Sequence, residues 1–435
     1  MAYRYDHVRK QVGGQRHDGL RLLSPGSALA LAVAVLAVGG CASSAGTLPA
    51  ASLATAPKAS GAGAFLATLG ADEQARFVAW YQADQAHARA LDAFWADVEA
   101  KRQARRARIR AGQAPDDADY VNAYPPGYEG PKLSPSLQER WDRFKRRGAE
   151  DRERDPIPGV AEMLAAARSH FGFAPDRISE AEFKLRYARE ALALGLGKEQ
   201  VVRVYALETG GNGTADMQAG IHPLTGKGRP ISSALGYAQL LHANSVGMIV
   251  KHGDTFVARL RDLEREARGD AGRVARLRTK RAALSRMLTA ARRVPDQWSA
   301  HVAFGRTPQG LGIHALNIDG DIGPWLQTTK LRGIVDFAAR SGRTGLTSEE
   351  LELMNLAGPG TGIEMMTPAG RRAANVNFFS RQGYERNSVV RGRTAGELIA
   401  ELGRRMDDGE RNPGAREFAV AFDKAVAQKA RVVRR

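Results

Sequence analysis

Residues 201–246 read VVRVYALETGGNGTADMQAGIHPLTGKGRPISSALGYAQLLHANSV, and this stretch holds the most informative pattern in the 435-residue chain. Val201, Tyr205 and Glu208 are spaced to lie on one face of a helix, so Glu208 extends an apolar stripe. Two glycines directly downstream end that helix. A carboxyl group at the end of a buried stripe loses solvation, and we therefore expect a raised pKa and a proton available for donation.

The second half of the same stretch predicts another helix. Ser232 offers a hydroxyl cap, and we expect the helix to begin there. Gly236 permits a close backbone approach, and the amide of Gln239 can bond hydroxyl and acetamido groups. These two residues are therefore candidate ligand-binding positions.

Helical patterns dominate the rest of the sequence, whereas alternating strand patterns are almost absent. Ser179 and Glu182 form a capping-box pattern that opens a helix to about Leu194. The other predicted helices cover about residues 72–110, 138–147, 160–170 and 198–208, with two more between residues 255 and 293. The predicted fold class is mainly α, with an additional N-terminal helical region.

Five short motifs, in this order, resemble those of the soluble lytic transglycosylase (SLT) domain, a lysozyme-like helical fold that cleaves peptidoglycan. The family's E-S-x motif is similar to Glu208-Thr209-Gly210, and its G-L-M-Q motif is similar to Gly236-Tyr237-Ala238-Gln239. Its Q-L-M-P-A-T-A motif is similar to residues 239–245, its A-Y-N-A-G-P-G motif to residues 354–360, and its N-Y-V motif to Asn377-Phe378-Phe379. The resemblance covers about residues 180–400. Two departures are an inserted HPLTGKGRP loop and the pair Asn355-Leu356, which stands where the family has Tyr and Asn.

The resemblance implies an enzyme that cuts the MurNAc–GlcNAc β-1,4 bond and leaves 1,6-anhydroMurNAc ends. Glu208 would be its single catalytic acid and base, with no cofactor and no metal. The substrate-binding residues would be Thr209, Gly236, Tyr237 and Gln239, and we add Tyr384 and Asn387 as further candidate cleft residues.

Three other functions remain open at this point. A hydrolytic lysozyme would need a second carboxylate, for which Asp216 is the candidate. A non-catalytic lipoprotein could use a lysozyme-like fold only to bind peptidoglycan. A basic envelope protein could act through its charge alone, and its binding would then be lost in moderate salt.

The first forty residues resemble a bacterial lipoprotein signal peptide. An apolar run of eleven residues, 28–38, is too short for a membrane span of about 20 residues but fits a signal-peptide core. It is followed by small residues and Cys41, the only cysteine and the predicted lipidation site. The residue after Cys41 is Ala42 and not Asp, which in lipoproteins of Gram-negative bacteria favours sorting to the outer membrane. The protein would then face the periplasm.

These observations predict five segments along the chain. They are a lipoprotein signal peptide (1–40), a flexible tether (41–70), an N-terminal helical region (71–155), a lytic transglycosylase-like catalytic domain (156–400) and a basic C-terminal helical tail (401–435).

The net charge of +17, from 64 basic and 47 acidic residues, favours polyanionic partners. Because the signal peptide predicts export, nucleic acid is not an expected partner. The expected partners are peptidoglycan strands and anionic envelope polymers. The histidines form no HExxH pair, the single cysteine gives no zinc cluster, and no nucleotide-binding glycine motif is present. Asp319 and Asp321 lack the other ligands of a calcium loop, so we expect a plain turn there.

Overall fold

The computed structural model describes residues 61–149 and 156–433, and within these ranges the protein is helical without β-strands. The α-helices are α1 (Gly61–Leu66), α2 (Ala71–Arg110), α3 (Pro135–Ala149), α4 (Val160–Phe171), α5 (Glu180–Ala193), α6 (Lys198–Thr209), α7 (His242–Glu266), α8 (Ala271–Ala291), α9 (Trp298–Gly305), α10 (Pro308–His314), α11 (Ile322–Arg340), α12 (Ser348–Ala357), α13 (Pro359–Met365), α14 (Pro368–Arg372), α15 (Arg381–Arg386), α16 (Ala395–Glu410) and α17 (Pro413–Val433). None of these helices combines the length and the apolar character that a membrane span requires.

The mainly α class is thus confirmed, and α2, α4, α5 and α6 form close to the predicted residues. Ser179 caps α5 by accepting a hydrogen bond from the backbone N–H of Glu182. Gly210 adopts the left-handed conformation that ends α6, with φ of 61°. The signal peptide, Cys41 and most of the tether lie outside the described residues.

The prediction of a helix beginning at Ser232 is wrong. Residues 235–240 instead form a tight turn in which Leu235 and Leu240 exchange backbone hydrogen bonds of 3.1 and 3.0 Å. Gly236 and Gln239 have positive φ angles of 79° and 40°, which no right-handed helix contains. Helix α7 begins only at His242.

Two hydrophobic clusters form the core, and α11 contributes to both. The larger cluster includes residues of α5, α6, α12, α16 and α17, and Leu331, Ile334 and Ala338 are the α11 residues within it. The smaller cluster includes residues of α4, α7, α8 and α10, and Ile322, Trp325 and Leu326 are the α11 residues within it. A single helix therefore links the two halves of the molecule.

The N-terminal helical region packs against the segment that follows α14. Arg105 of α2 is fully buried and donates to Glu364 at 2.8 Å and to the Asn377 carbonyl at 2.8 Å. Trp95 of α2 packs edge-on against Tyr384, with ring centroids 5.6 Å apart. Residues 71–149 therefore brace the predicted catalytic domain, and residues 64–435 cluster as one compact unit.

The C-terminal residues that the sequence assigns to a basic tail are helical but also belong to the core. Leu402 and Met406 of α16 and Phe418 of α17 are buried in the larger cluster. The Phe418 ring lies 5.2 Å from that of Tyr205 and 5.5 Å from that of Tyr237. The last two helices thus pack directly on the segment around Glu208.

A buried ion network fixes the start of α11. Lys280 of α8 lies 2.8 Å from Asp319, 2.6 Å from Asp321 and 3.0 Å from Asp176. Asp319 also accepts hydrogen bonds from the backbone N–H groups of Asp321 and Ile322. The Asp319–Asp321 turn is therefore organised by a lysine ammonium.

Lys280→Met should destabilise the protein by about 3–5 kcal/mol, because it leaves buried carboxylates without their ammonium partner. Arg276→Met, on the exposed face of the same helix, is the matched control and should change stability by less than about 0.5 kcal/mol. Urea unfolding followed by circular dichroism measures both. Equal midpoints for the two variants would show that the network contributes no stability.

Candidate functional site

Glu208 lies in the last turn of α6, one residue before the helix ends. Its neighbours on the same helix face, Val201 and Tyr205, are buried in the core, whereas Glu208 itself is partly exposed. The sequence prediction that Glu208 extends the apolar stripe is therefore confirmed. The carboxyl group lies at the boundary between the core and solvent.

Three side chains from two other helices surround Glu208. Asn355 of α12 donates from Nδ2 to Oε1 of Glu208 at 3.0 Å, and the same nitrogen lies 3.2 Å from Oε2 of Glu352. Lys330 of α11 donates from Nζ to Oδ1 of Asn355. Because an ammonium group can only donate, Lys330 orients the Asn355 amide so that its NH₂ faces the two carboxyl groups.

Burial dominates the protonation equilibria of this cluster. It raises the pKa of Glu208 to about 7, against the opposing effects of the Lys330 charge and of hydrogen bonds from Glu352 and Asn355. The pKa of Glu352 is raised well above its ordinary value, first by burial and then by the charge of Glu208. Burial likewise lowers the pKa of Lys330. Glu208 is therefore half-protonated near neutral pH, as an acid and base catalyst requires.

The local sequence explains why Glu352 and Asn355 face the same way. Thr347 and Glu350 form a capping box that begins α12, and residues three apart on a helix share a face. Gly358, with φ of 86°, ends α12. Asn355, two residues before the Ala357-Gly358-Pro359-Gly360 segment, is the α12 residue that contacts Glu208.

Three predicted substrate-binding residues are packing residues in this structure. The Thr209 hydroxyl is buried and donates to the Tyr205 carbonyl at 2.7 Å. Tyr237 is 1% exposed, and its hydroxyl donates to Glu180. A Cβ atom at Gly236 would lie 2.6 Å from Nε2 of Gln327, so this glycine serves the close approach of α11.

The other predicted cleft residues differ in exposure. Gln239 is partly exposed, and its strained backbone is held by hydrogen bonds from Nε2 to the carbonyls of Gly236 at 2.8 Å and Met217 at 3.2 Å. Tyr384 is buried, and its hydroxyl accepts from the Gly392 N–H at 2.9 Å. Asn387 ends α15 and accepts from the Val389 N–H at 3.1 Å.

Only Glu208, among the residues predicted to contact substrate, belongs to the acidic cluster. Sequence reasoning missed Lys330 and Glu352, and it assigned no role to Asn355. One signal was available: Glu352 is a charged residue between Leu351 and Leu353, and the two residues on either side of it along the chain are buried. A carboxyl group within such a run needs a specific partner.

Asp216, the candidate second carboxylate of a lysozyme, is engaged by other residues. Its carboxyl accepts from the Thr214 hydroxyl at 2.7 Å and forms an ion pair with Arg177. Burial acts to raise the pKa of Asp216, but these two partners outweigh it and the pKa is lowered. Among the described contacts, none joins Asp216 to Glu208.

Residues at the junction of α16 and α17 close the glycine turn that follows Glu208. Asn412 donates to the Gly210 carbonyl at 2.8 Å, and the Ala415 N–H donates to the Gly211 carbonyl at 2.9 Å. A Cβ atom at Gly211 would lie 2.0 Å from the Gly409 carbonyl oxygen. The end of α6 therefore depends on residues about two hundred positions downstream.

In the described ranges, no group of three histidine, cysteine, aspartate or glutamate side chains is arranged to hold a metal ion. Comparison of the chain with protein-family models, with curated proteins and with solved structures found no match. Its function is therefore inferred from its own residues and their geometry.

Gly210→Ala and Gly211→Ala form a matched pair that tests the closed turn. Both glycines have positive φ, so each variant should lose about 1–2 kcal/mol of stability. Gly211→Ala should lose about 1–3 kcal/mol more, because only its methyl group meets the Gly409 carbonyl. Chemical unfolding measures the difference. Equal losses would mean that the contact with α16 does not constrain the turn.

Glu208→Gln should alter the pH dependence of stability. Between pH 4.5 and about 7 the folded protein binds a proton at Glu208 more tightly than the unfolded chain, so wild-type stability falls as pH rises through this window. The variant lacks this fall. The difference in unfolding free energy, Glu208→Gln minus wild type, should therefore increase by about 1–3 kcal/mol from pH 4 to pH 8.

Glu349→Gln supplies a control of opposite sign. Although burial opposes it, hydrogen bonds from the backbone, Thr347 and Arg203 lower the pKa of Glu349. This carboxylate stabilises the fold at neutral pH and loses that effect as pH falls. Glu349→Gln should therefore be less stable than wild type at pH 8 and approach it at pH 3. Parallel pH profiles for the two variants would contradict the assignment at Glu208.

Proposed function

We propose that this protein is a peptidoglycan lytic transglycosylase in which Glu208 is the catalytic acid and base. The observation that supports this proposal best is the Glu208 carboxyl itself, which is partly exposed, bound by Asn355 and has a pKa near 7. A group with this pKa can give up a proton and take one back at neutral pH. The motif resemblance supplies the substrate class, and the helical fold agrees with it in class.

The proposed reaction needs no water and no cofactor. Protonated Glu208 donates its proton to the glycosidic oxygen between MurNAc and GlcNAc while the C1–O bond breaks, and the substrate acetamido group assists at C1. The resulting Glu208 carboxylate then takes the proton of the MurNAc 6-hydroxyl. The freed oxygen closes on C1 and gives the 1,6-anhydro product, which leaves Glu208 protonated for the next cycle.

The proposed location is the cell envelope, with the protein lipid-anchored through Cys41 to the outer membrane and facing the periplasm. The apolar run and the small residues before Cys41 support this proposal. The basic helices α7 and α8 offer a surface for anionic envelope polymers. Three of their arginines (Arg261, Arg265 and Arg278), together with Arg268 from the connection between them, line an open cavity of about 510 Å³.

The alternative of a non-catalytic peptidoglycan-binding lipoprotein is favoured by one group of observations. Thr209, Gly236, Tyr237 and Tyr384 serve packing, and Asn355 replaces the family Tyr beside Glu208. Such a protein would keep the cluster of Glu208, Glu352 and Lys330 only as a structural ion network. For a hydrolytic lysozyme, the pairing of Asp216 with Arg177 is unfavourable, because it occupies the candidate base.

Digestion of purified peptidoglycan tests the proposal. The full-length protein, purified in detergent, should release muropeptides with 1,6-anhydro ends, whereas Glu208→Gln should release them at least about 100-fold more slowly, because a general acid contributes a factor of this order. Mass spectrometry of the released material measures both. Asp216→Asn is the matched control and should keep most of the activity.

Other outcomes identify the alternatives. Release of muropeptides with reducing ends, abolished by Asp216→Asn, would replace the proposal by hydrolysis. Sedimentation of both wild type and Glu208→Gln with the cell wall, without any release, would favour the binding lipoprotein. Binding that disappears in moderate salt and is indifferent to Glu208 would favour a protein that acts through its charge.

A further inference from the structure

Glu352 places a second carboxyl group against Glu208. Only 4% of Glu352 is exposed, and its two carboxyl oxygens lie 3.3 and 3.2 Å from the Asn355 amide nitrogen, which also donates to Glu208 at 3.0 Å. Two carboxylates cannot hydrogen-bond to each other unless one of their oxygens carries a proton. Because the two carboxyls share one amide nitrogen, they are close neighbours, and a hydrogen bond between them requires a bound proton.

Lys330 and Asn355 determine which carboxyl group is better placed to keep that proton. Lys330 fixes the Asn355 amide, whose NH₂ group then faces both carboxyls. Glu208 is partly exposed and can exchange its proton with a ligand, whereas Glu352 is enclosed by the helix residues around it. Desolvation is greatest for the more enclosed group, so the proton remains on Glu352.

The charges of the cluster lead to the same assignment. With Lys330 positive, Glu208 negative and Glu352 protonated, the buried cluster is neutral. Ionisation of Glu352 would add an uncompensated negative charge in a buried site, which is strongly unfavourable. Acidic residues on the adjoining helices are paired elsewhere: Asp407 and Glu410 of α16 with Arg203, and Glu364 of α13 with Arg105.

We propose that Glu352 is a positioning residue whose carboxyl proton is donated in a hydrogen bond to Glu208, so that Glu208 alone exchanges a proton with substrate. This inference rests on the proposed function and names a residue that the motif resemblance does not include. Glu352 touches no substrate in this scheme. It acts by fixing the direction of the Glu208 carboxyl and by supplying a neutral hydrogen-bond donor behind it.

Two substitutions at Glu352 separate positioning from mere packing. Glu352→Gln retains a neutral donor of the same length, and we expect kcat within about 3-fold of wild type. Glu352→Leu retains the volume without a donor, and kcat should fall by about 100-fold with KM changed by less than about 3-fold. Far-UV circular dichroism and the unfolding midpoint establish that both variants are folded.

The pH profile supplies a readout that a packing role would not change. Loss of the hydrogen bond to the Glu208 carboxylate favours its protonated form, so the alkaline limb of kcat should move to higher pH in Glu352→Leu and stay in place in Glu352→Gln. Lys330→Met removes the positive charge beside the same carboxylate and should move this limb in the same direction. Unchanged profiles in folded Glu352→Leu and Lys330→Met would overturn the proposal.

Infrared spectroscopy of the full-length protein tests the bound proton without relying on activity. Wild type at pH 8 should show the carbonyl band of a protonated carboxylic acid, and this band should be missing in Glu352→Gln. In Glu208→Gln, where the Lys330 charge faces Glu352 without the opposing Glu208 charge, the band should disappear at a lower pH than in wild type. Absence of the band in wild type would overturn the assignment of the proton to Glu352. If the band is present but no anhydro product is formed, the proton assignment stands and the proposed transglycosylase function fails.

Discussion

The burial of charge beside Glu208 is the constraint on which the arrangement of the central helices depends. A carboxyl group removed from water is costly unless donors replace the lost solvent. Helix α11 supplies Lys330 and helix α12 supplies Asn355, so the three helices must meet at this point for Glu208 to be accommodated. The same helix α11 begins at the Lys280–Asp319–Asp321 network, where an ammonium group again balances buried carboxylates. Two charged clusters thus fix both the start and the middle of the helix that joins the two cores.

Support for the candidate site comes from distant parts of the chain. The glycine turn after Glu208 is closed by Asn412 and by Ala415 in the first turn of α17, and Phe418 of the same helix packs on the Tyr205 and Tyr237 rings. On another side, Arg105 of the N-terminal helical region is bonded to Glu364 of α13. Neither terminal region is an appendage, because each contributes fully buried side chains. Substitutions far from Glu208 in sequence are therefore expected to act on its surroundings.

Much of the helical architecture could be predicted from the sequence, because caps and helix periodicity are local properties. The residues from 72 to 110, the cap at Ser179 and the end of α6 all follow the predicted pattern. The segment after Ser232 does not, because a hydroxyl cap also suits a turn and the positive φ of Gln239 is set by tertiary contacts. The roles of Tyr237 and Tyr384 could not be read from motif order either, since a tyrosine in a motif looks the same whether it faces a cleft or the core.

The sequence by itself determined that the protein is mainly helical, that Glu208 extends an apolar helix face and that glycines end its helix directly afterwards. These features depend on residues within one or two helix turns of each other, where spacing alone fixes which side chains share a face. Only the tertiary structure decided that Lys330, Glu352 and Asn355 surround Glu208 and that Asp216 is paired with Arg177. The physical reason is that desolvation and charge pairing act through space, and the partners of Glu208 come from helices more than a hundred residues away along the chain.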